Sequence, residues 1–126
     1  MNITNQNELE QFLKQTGWQS FEKLVANIFE EHGYKTQTNT VITGKEKTQV
    51  DVIAEGYGKK IVIECKKWKN NNSGMMLKEV KKQQTRKELL KANEAIIITL
   101  KEFKQKKVEE INIIPLNKLN NYLINE

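Results

Sequence analysis

Cysteine, histidine and proline each occur once in this 126-residue chain, at Cys65, His32 and Pro115. One cysteine excludes an intramolecular disulfide and a cysteine-based zinc cluster, and it suits a reducing compartment. One histidine argues against histidine metal clusters and leaves a Ser-His-Asp triad no spare partner. His32 precedes Gly33 and reads as an ordinary residue at a helix C-terminus. Long apolar runs are absent too. The N-terminal stretch Met1 to Gln6 is polar, and no segment approaches the roughly 18 apolar residues of a membrane span. Repeats, linkers and long low-complexity tracts are also missing. These absences describe a soluble, intracellular, cytoplasmic protein without a membrane partner.

The length suits one domain over residues 1–126, with a short helical extension at 1–18 and enough chain to bury a core. Lys plus Arg number 21 against 16 Asp plus Glu, giving a net charge of +5 and a pI near 9.2. That excess favours a polyanionic partner. An AT-rich genome would produce the same bias toward lysine, asparagine and isoleucine.

Periodicity orders the elements. A short helix is expected over Glu8 to Lys14. Phe21, Leu24, Val25, Ile28 and Phe29 follow helical spacing from Gln19 to His32, where Ser20 caps and Gly33 stops the helix. Tyr34 to Val41 reads as a first strand, and a polar connection then leads into two Val/Ile-rich arms interrupted by Gly56-Tyr57-Gly58. After Trp68 come a loop from Lys69 to Gly74 and a basic helix from about Met75 to Lys91. Ala95 to Thr99 and Ile111 to Leu116 read as strands covered on both faces. Between them Lys101 to Glu110 is expected to be helical, and Asn117 to Ile124 closes the chain as a helix. Alternating β and α units after an antiparallel hairpin predict an α/β fold, a mixed sheet of about five strands with helices on both sides.

The hairpin carries the chemistry. If Glu55 opposes Lys60 across a loop of Gly56 to Lys59, the same register sets Ile53 against Val62 and Asp51 against Glu64. The two carboxylates then become cross-strand neighbours, roughly 4.5–5.5 Å apart at Cβ. Lys66 shares the face of Glu64, whereas Val52, Ala54, Ile61, Ile63 and Cys65 line the other, where Cys65 serves as a small buried hydrophobe rather than a nucleophile. Two carboxylates and an ammonium at a strand end suit magnesium bound by oxygen ligands and its own waters, positioned to hydrolyse a phosphodiester. Two like charges at a strand end are unfavourable without a counter-ion. The bland reading is a surface ion pair between Glu64 and Lys66, with Asp51 as a turn residue. Glu79-Val80-Lys81 and Glu102-Phe103-Lys104 share the Glu-x-Lys pattern, but in helix-like, solvated surroundings.

A helix with Phe21-Glu22, then Gly33-Tyr34, Asp51 opening a strand, and Glu64-Cys65-Lys66-Lys67-Trp68 followed by strand, helix and strand, resembles the PD-(D/E)xK nuclease superfamily. Within it the sequence is most similar to the catalytic domain of Mrr-type restriction endonucleases, with archaeal Holliday-junction resolvases as near relatives. The resemblance spans about Gln19 to Leu123. It implies a restriction-endonuclease-like fold and a metal-dependent DNA endonuclease using Mg2+, or Mn2+ in its place. Asp51 and Glu64 would bind the metal, Lys66 would be the catalytic lysine, the Cys65 backbone carbonyl would be a further ligand, and Glu22 would be the acidic residue of the first helix. Glu22 reads equally well as a first-turn acid favoured by the helix dipole. Val50 stands in the proline position of the superfamily's name, and the glycine-rich approach to the aspartate is replaced here by Thr43 to Gln49.

Lys59, Lys60, Lys67, Lys69, Lys78, Lys82 and Arg86, with Lys81 and Lys87, are candidates for phosphate contacts giving salt-sensitive binding. Gln83 and Gln84 fall near the line of Met76 and Val80, where an inward polar group serves either packing or the site. Trp68 reads as a core aromatic at the sheet edge or as a stacking platform. A homodimer follows from two-strand cleavage. A junction resolvase is the alternative reading, and a non-catalytic nucleic-acid-binding module or subunit of a larger complex is a second.

Overall fold

The computed structural model describes residues 11, 19–44, 47–68 and 73–125. The helix expected over Glu8 to Lys14 lies outside them, Gln11 apart. Helix α1 spans Gln19–Glu31 and buries Phe21, Val25 and Phe29 on one stripe, with Leu24 and Ile28 partly covered beside them. Its end is a complete Schellman motif. The Tyr34 amide donates to the Phe29 carbonyl at 3.1 Å and the Gly33 amide to Glu30 at 3.0 Å, while Gly33 adopts a φ of +92°. The accompanying apolar contact is Tyr34 edge-on to Phe29, ring centroids 5.4 Å apart.

Strands β1 (Lys35–Ile42), β2 (Thr48–Gly56) and β3 (Lys59–Lys66) form an antiparallel meander. The predicted pairing of β2 with β3 is present, and it runs one pair further, to Gly56↔Lys59. The loop is therefore Tyr57-Gly58 alone, with φ of +55° and +76°, the two positive values of a type I′ turn that suits the twist of a hairpin. Helix α2 (Ser73–Leu90) follows, then β4 (Glu94–Thr99), β5 (Lys107–Val108) and β6 (Ile111–Pro115). A 3-10 turn over Leu116–Lys118 leads into α3 (Leu119–Ile124), so the helix expected from Asn117 is split in two.

Among the described residues the sheet has six strands in the order β1-β2-β3-β4-β6-β5, against about five expected. β4 runs parallel to both β3 and β6. The expected helix over Lys101 to Glu110 is not formed. Phe103 and Val108, its apolar residues, are five apart and cannot share a helical stripe. Phe103 instead enters the core, β5 pairs antiparallel with β6, and Glu109 and Glu110 make the turn with positive φ.

Period-two alternation sorts the strands onto two apolar layers. Val52, Ala54, Ile61, Ile63, Ile96 and Ile98 pack under α1 and α3, with Cys65 at the margin. Ile53, Val62 and Ile97 pack under Met76 and Val80 of α2 and under Phe103, and Val50 joins them although strict alternation would set it with Val52. Burial on both faces explains why β3 and β4 read as continuous apolar runs. Among the described residues no helix is long and apolar enough to cross a membrane.

Two glycines give a paired test. A Cβ on Gly33 would collide with the Tyr57 hydroxyl, whereas one on Gly58 would meet open space. Gly58→Ala should cost only the left-handed backbone penalty of about 1–2 kcal/mol. Gly33→Ala should cost at least roughly 1 kcal/mol more in a denaturant melt, and equal losses would contradict this account of the helix end.

Candidate active site

The β2–β3 ladder stops at Val52↔Ile63. One step further, the Asp51 side chain takes over the role of a ladder carbonyl: its Oδ2 accepts the Cys65 amide at 2.9 Å. Glu64 projects to the α2 side of the sheet and hydrogen-bonds the Asp51 carboxyl. Lys66 follows on the same face, its Nζ 3.6 Å from Glu64 Oε2. Glu22, in the first turn of α1, reaches the same sheet end and hydrogen-bonds Asp51 as well. The structure thus brings Asp51, Glu64, Lys66 and Glu22 together, with Cys65 between the two acid-bearing positions.

Helix α2 supplies a further layer. Its inner stripe reads Met76, Glu79, Val80, Gln83 and Arg86, all buried. Glu79 Oε1 lies 3.0 Å from Lys66 Nζ. Arg86 Nη1 lies 3.3 Å from Glu64 Oε2 and 3.6 Å from Glu79 Oε2. The same nitrogen donates to Gln83 Oε1 at 3.0 Å, and Nε donates to Thr48 Oγ1 at 3.3 Å. Gln83 is fixed in turn by Nε2, which donates to the carbonyls of Val62 and Ile96.

Burial governs the charges here. It pushes the Glu64 carboxyl up to about 9, reinforced by Asp51 and only partly opposed by Arg86 and Lys66. Glu22 is raised for the same two reasons, burial first and then Asp51. Burial also works against the Lys66 ammonium, but hydrogen bonding to Glu79 and the charges of Glu64, Glu79 and Asp51 outweigh it, and the net shift is upward. Glu79 goes the other way: despite its burial, Lys66, Arg86 and Lys82 hold it below the usual carboxylate range. The Cys65 thiol is raised by burial and by the surrounding carboxylates, which leaves it a poor nucleophile.

The residues fit a divalent cation. Two abutting carboxyls, one held protonated by burial and by its neighbour despite Lys66 and Arg86, form an oxygen donor set that a divalent cation would relieve. Among the described residues no group of three or more His, Cys, Asp or Glu side chains forms a ready-made metal cluster. Magnesium needs no such cage, because it retains several waters and takes one or two protein carboxylates.

The remaining expected contacts scatter. Lys59 and Lys60 begin β3, about 20 Å along the strand from Lys66 at 3.3 Å per residue, and they pair there with Glu94 and Glu55. Lys67 lines a cleft of about 360 Å³ beside the site with Phe21, Glu22, Cys65, Lys66 and Trp68. Trp68 is half-buried and edge-on to Phe103. Lys78 and Lys82 are exposed on α2, and Lys69 lies outside the described residues. Arg86 departs from the expected phosphate contact, since its side chain is only 9% exposed and paired with Glu64 and Glu79. A larger groove of about 570 Å³ beside β6 and α3 is lined by Glu94, Tyr122 and other residues remote from the acids.

Two participants escaped the sequence reading. Glu79 was grouped with solvated Glu-x-Lys patterns, although its spacing from Met76 and Gln83 sets it on the inner stripe. Asn39 falls between the pairs Thr38↔Val52 and Thr40↔Val50, opposite Asp51, with a φ of +53° that asparagine tolerates better than most residues. Its Oδ1 accepts Gln49 Nε2 at 3.1 Å, and its side chain hydrogen-bonds Glu22. Asn39 carries no signal in sequence, because nothing local announces the left-handed residue.

The mixed sheet with helices on both faces is a restriction-endonuclease-like fold. The sequence matches the family model Mrr_cat, described as restriction endonuclease, over residues 13–118, and the chain belongs to that family. An uncharacterized protein of Archaeoglobus fulgidus is 42% identical over 43 residues, a stretch covering 33% of this chain and 25% of that protein. The crystal structure of a protein of unknown function, AF1548, superposes with a TM-score of 0.58 at 26% identity, covering 77% of this chain and 57% of that one. Can2 from Sulfobacillus thermosulfidooxidans, solved in complex with cyclic tetra-adenylate, shares the fold at a TM-score of 0.65 and 18% identity, over 83% of this chain and 34% of its own. VC1899 from Vibrio cholerae does so at 0.61 and 16%, over 86% and 32%. The chain thus spans a quarter to somewhat over half of these proteins.

The raised carboxyl at Glu64 has a consequence for stability. The folded protein keeps a proton there that the unfolded chain releases near 4.5, so this contribution is complete below about 4.5 and is lost as pH rises toward about 9. Glu22 acts with the same sign. In chelator, the melting temperature should fall across this window, and Glu64→Gln, which is permanently neutral, should flatten the decline. A wild-type profile already as flat as the variant's would refute the buried acid pair.

Proposed function

We propose that this chain is a magnesium-dependent DNA endonuclease of the restriction type, hydrolysing phosphodiester bonds and acting as a homodimer when both strands are cut. The single observation supporting this most strongly is the pairing of the Asp51 and Glu64 carboxyls on one side of Lys66, at the open end of a sheet in a chain of this family. Asp51 and Glu64 hold the cation, with the Cys65 carbonyl and Glu22 as further oxygen donors on the same rim. When bound, magnesium, or manganese in its place, would supply polarisation of the phosphate and acidification of a water.

The side chains do the rest. Lys66, kept charged by Glu79 and Glu64, is a hydrogen-bond donor rather than a base: it orients the attacking water and meets the charge that develops on the phosphate. Asp51 cannot drift, because its Oδ2 is tied to the Cys65 amide. Glu22 presents a carboxyl at the edge of the site, where a proton from water can be taken up. Exposed Lys67, Lys78 and Lys82 lie on the surface around this end and suit salt-dependent contacts to the backbone of DNA.

Purified protein incubated with duplex, methylated, single-stranded and four-way-junction DNA, in magnesium, manganese or chelator, tests this directly. Cleavage of linear duplex only with a divalent cation is expected. Symmetric nicks confined to the junction would replace the restriction role with that of a resolvase, and binding without cleavage in every condition would defeat the hydrolase reading. Asp51→Asn, Glu64→Gln and Lys66→Ala should each lower the cleavage rate by at least about 10²-fold while circular dichroism stays native. Full activity in any of them removes that residue from the mechanism.

A further inference from the structure

Arg86 is the only positively charged side chain of α2 that is buried among the described residues, and nothing in its surroundings suits a guanidinium exposed to substrate. Its Nε and Nη1 are held by specific partners. Thr48 of β2 accepts its Nε, Gln83 accepts Nη1, and Nη1 also stands within ion-pair distance of Glu64 Oε2 and Glu79 Oε2. Gln83 is itself anchored to backbone carbonyls of β3 and β4. The guanidinium is thus tied to three strands, to β2 directly and to β3 and β4 through Glu64 and Gln83, and stands behind Glu64.

A buried cation is expensive unless paired and fully hydrogen-bonded. Structures keep such a group where it fixes a geometry that an apolar residue could not. We infer that Arg86 is a positioning residue for the metal carboxylate: it holds Glu64 against the sheet in the orientation that faces Asp51, and through Glu79 it sets the distance to Lys66. This inference rests on the nuclease reading above. It assigns Arg86 no contact with DNA, and it makes α2 a structural arm of the active site rather than only a basic helix beside it.

The test combines Arg86→Met, Arg86→Lys and Thr48→Val, with Mn2+ alone titrated by calorimetry at a temperature where circular dichroism shows each variant folded. Arg86→Met should weaken Mn2+ binding by about 10- to 100-fold, the range for loss of a group that orients a metal ligand. Cleavage kinetics should show kcat falling with the KM for DNA unchanged, because a buried group makes no phosphate contact. Arg86→Lys keeps the charge but loses the fork and should recover only part of the affinity. Thr48→Val removes a single hydrogen bond at a β-branched isostere, so it tests the same geometry if Arg86→Met does not fold, and it should weaken Mn2+ severalfold. Unchanged or tighter Mn2+ binding in folded Arg86→Met, or in Thr48→Val should Arg86→Met not fold, would overturn the inference, as would a raised KM with constant kcat. Failure of the nuclease reading would appear separately, as a wild-type protein that neither binds Mn2+ nor cuts DNA.

Discussion

Two carboxyls forced against each other at the end of a β-hairpin are the constraint around which the rest of this molecule is arranged. Neither can be relieved by moving into water, because Glu64 is sealed under α2 and Asp51 is committed to the Cys65 amide. Three kinds of relief are available to them: a proton held at Glu64, the fixed cations Lys66 and Arg86, and, on the proposed reading, an ion from solution. The proton and the ion exchange with solution, whereas the side-chain cations do not. On the proposed reading, an ion exchanging there would turn an unfavourable cluster into chemistry.

The hairpin was readable from sequence because its information is local. Alternation from Val50 to Ile63, interrupted by a glycine-flanked turn, fixes the register, and register alone carries Asp51 and Glu64 to the same place. Helix α1 was equally legible, from the spacing of Phe21, Val25 and Phe29 and from Gly33 at its end. The parallel pairing of β4 with β3 and β6 was expected from the alternation of β and α units, and it holds with β6 although the helix expected between them is not formed. The segment 101–110 failed for a physical reason. Its lysines and glutamates favour helix in isolation, but Phe103 and Val108 are separately engaged by the core, and tertiary demand overrode propensity.

The inner stripe of α2 shows a second limit. A helix read by its apolar residues alone is nearly patternless there, since Glu79, Gln83 and Arg86 occupy core positions. Polar side chains belong on a buried stripe only when a partner waits opposite, and those partners (Lys66, Thr48, Glu64 and the carbonyls of Val62 and Ile96) come from strands distant in sequence. Asn39 is hidden in the same way, as its left-handed backbone acquires meaning only beside Asp51.

The two poles of the sheet are fastened by different means. At one, the closing turn of α1, the rings of Phe29 and Tyr34 and the Tyr57 hydroxyl bound to the His32 carbonyl form a clasp of backbone and aromatic packing. At the other, α1, β2, β3 and α2 meet through carboxyl, guanidinium and ammonium groups. The charged pole therefore answers to pH, through the proton held at Glu64, while the aromatic clasp at the other pole has no titrating contact of that kind.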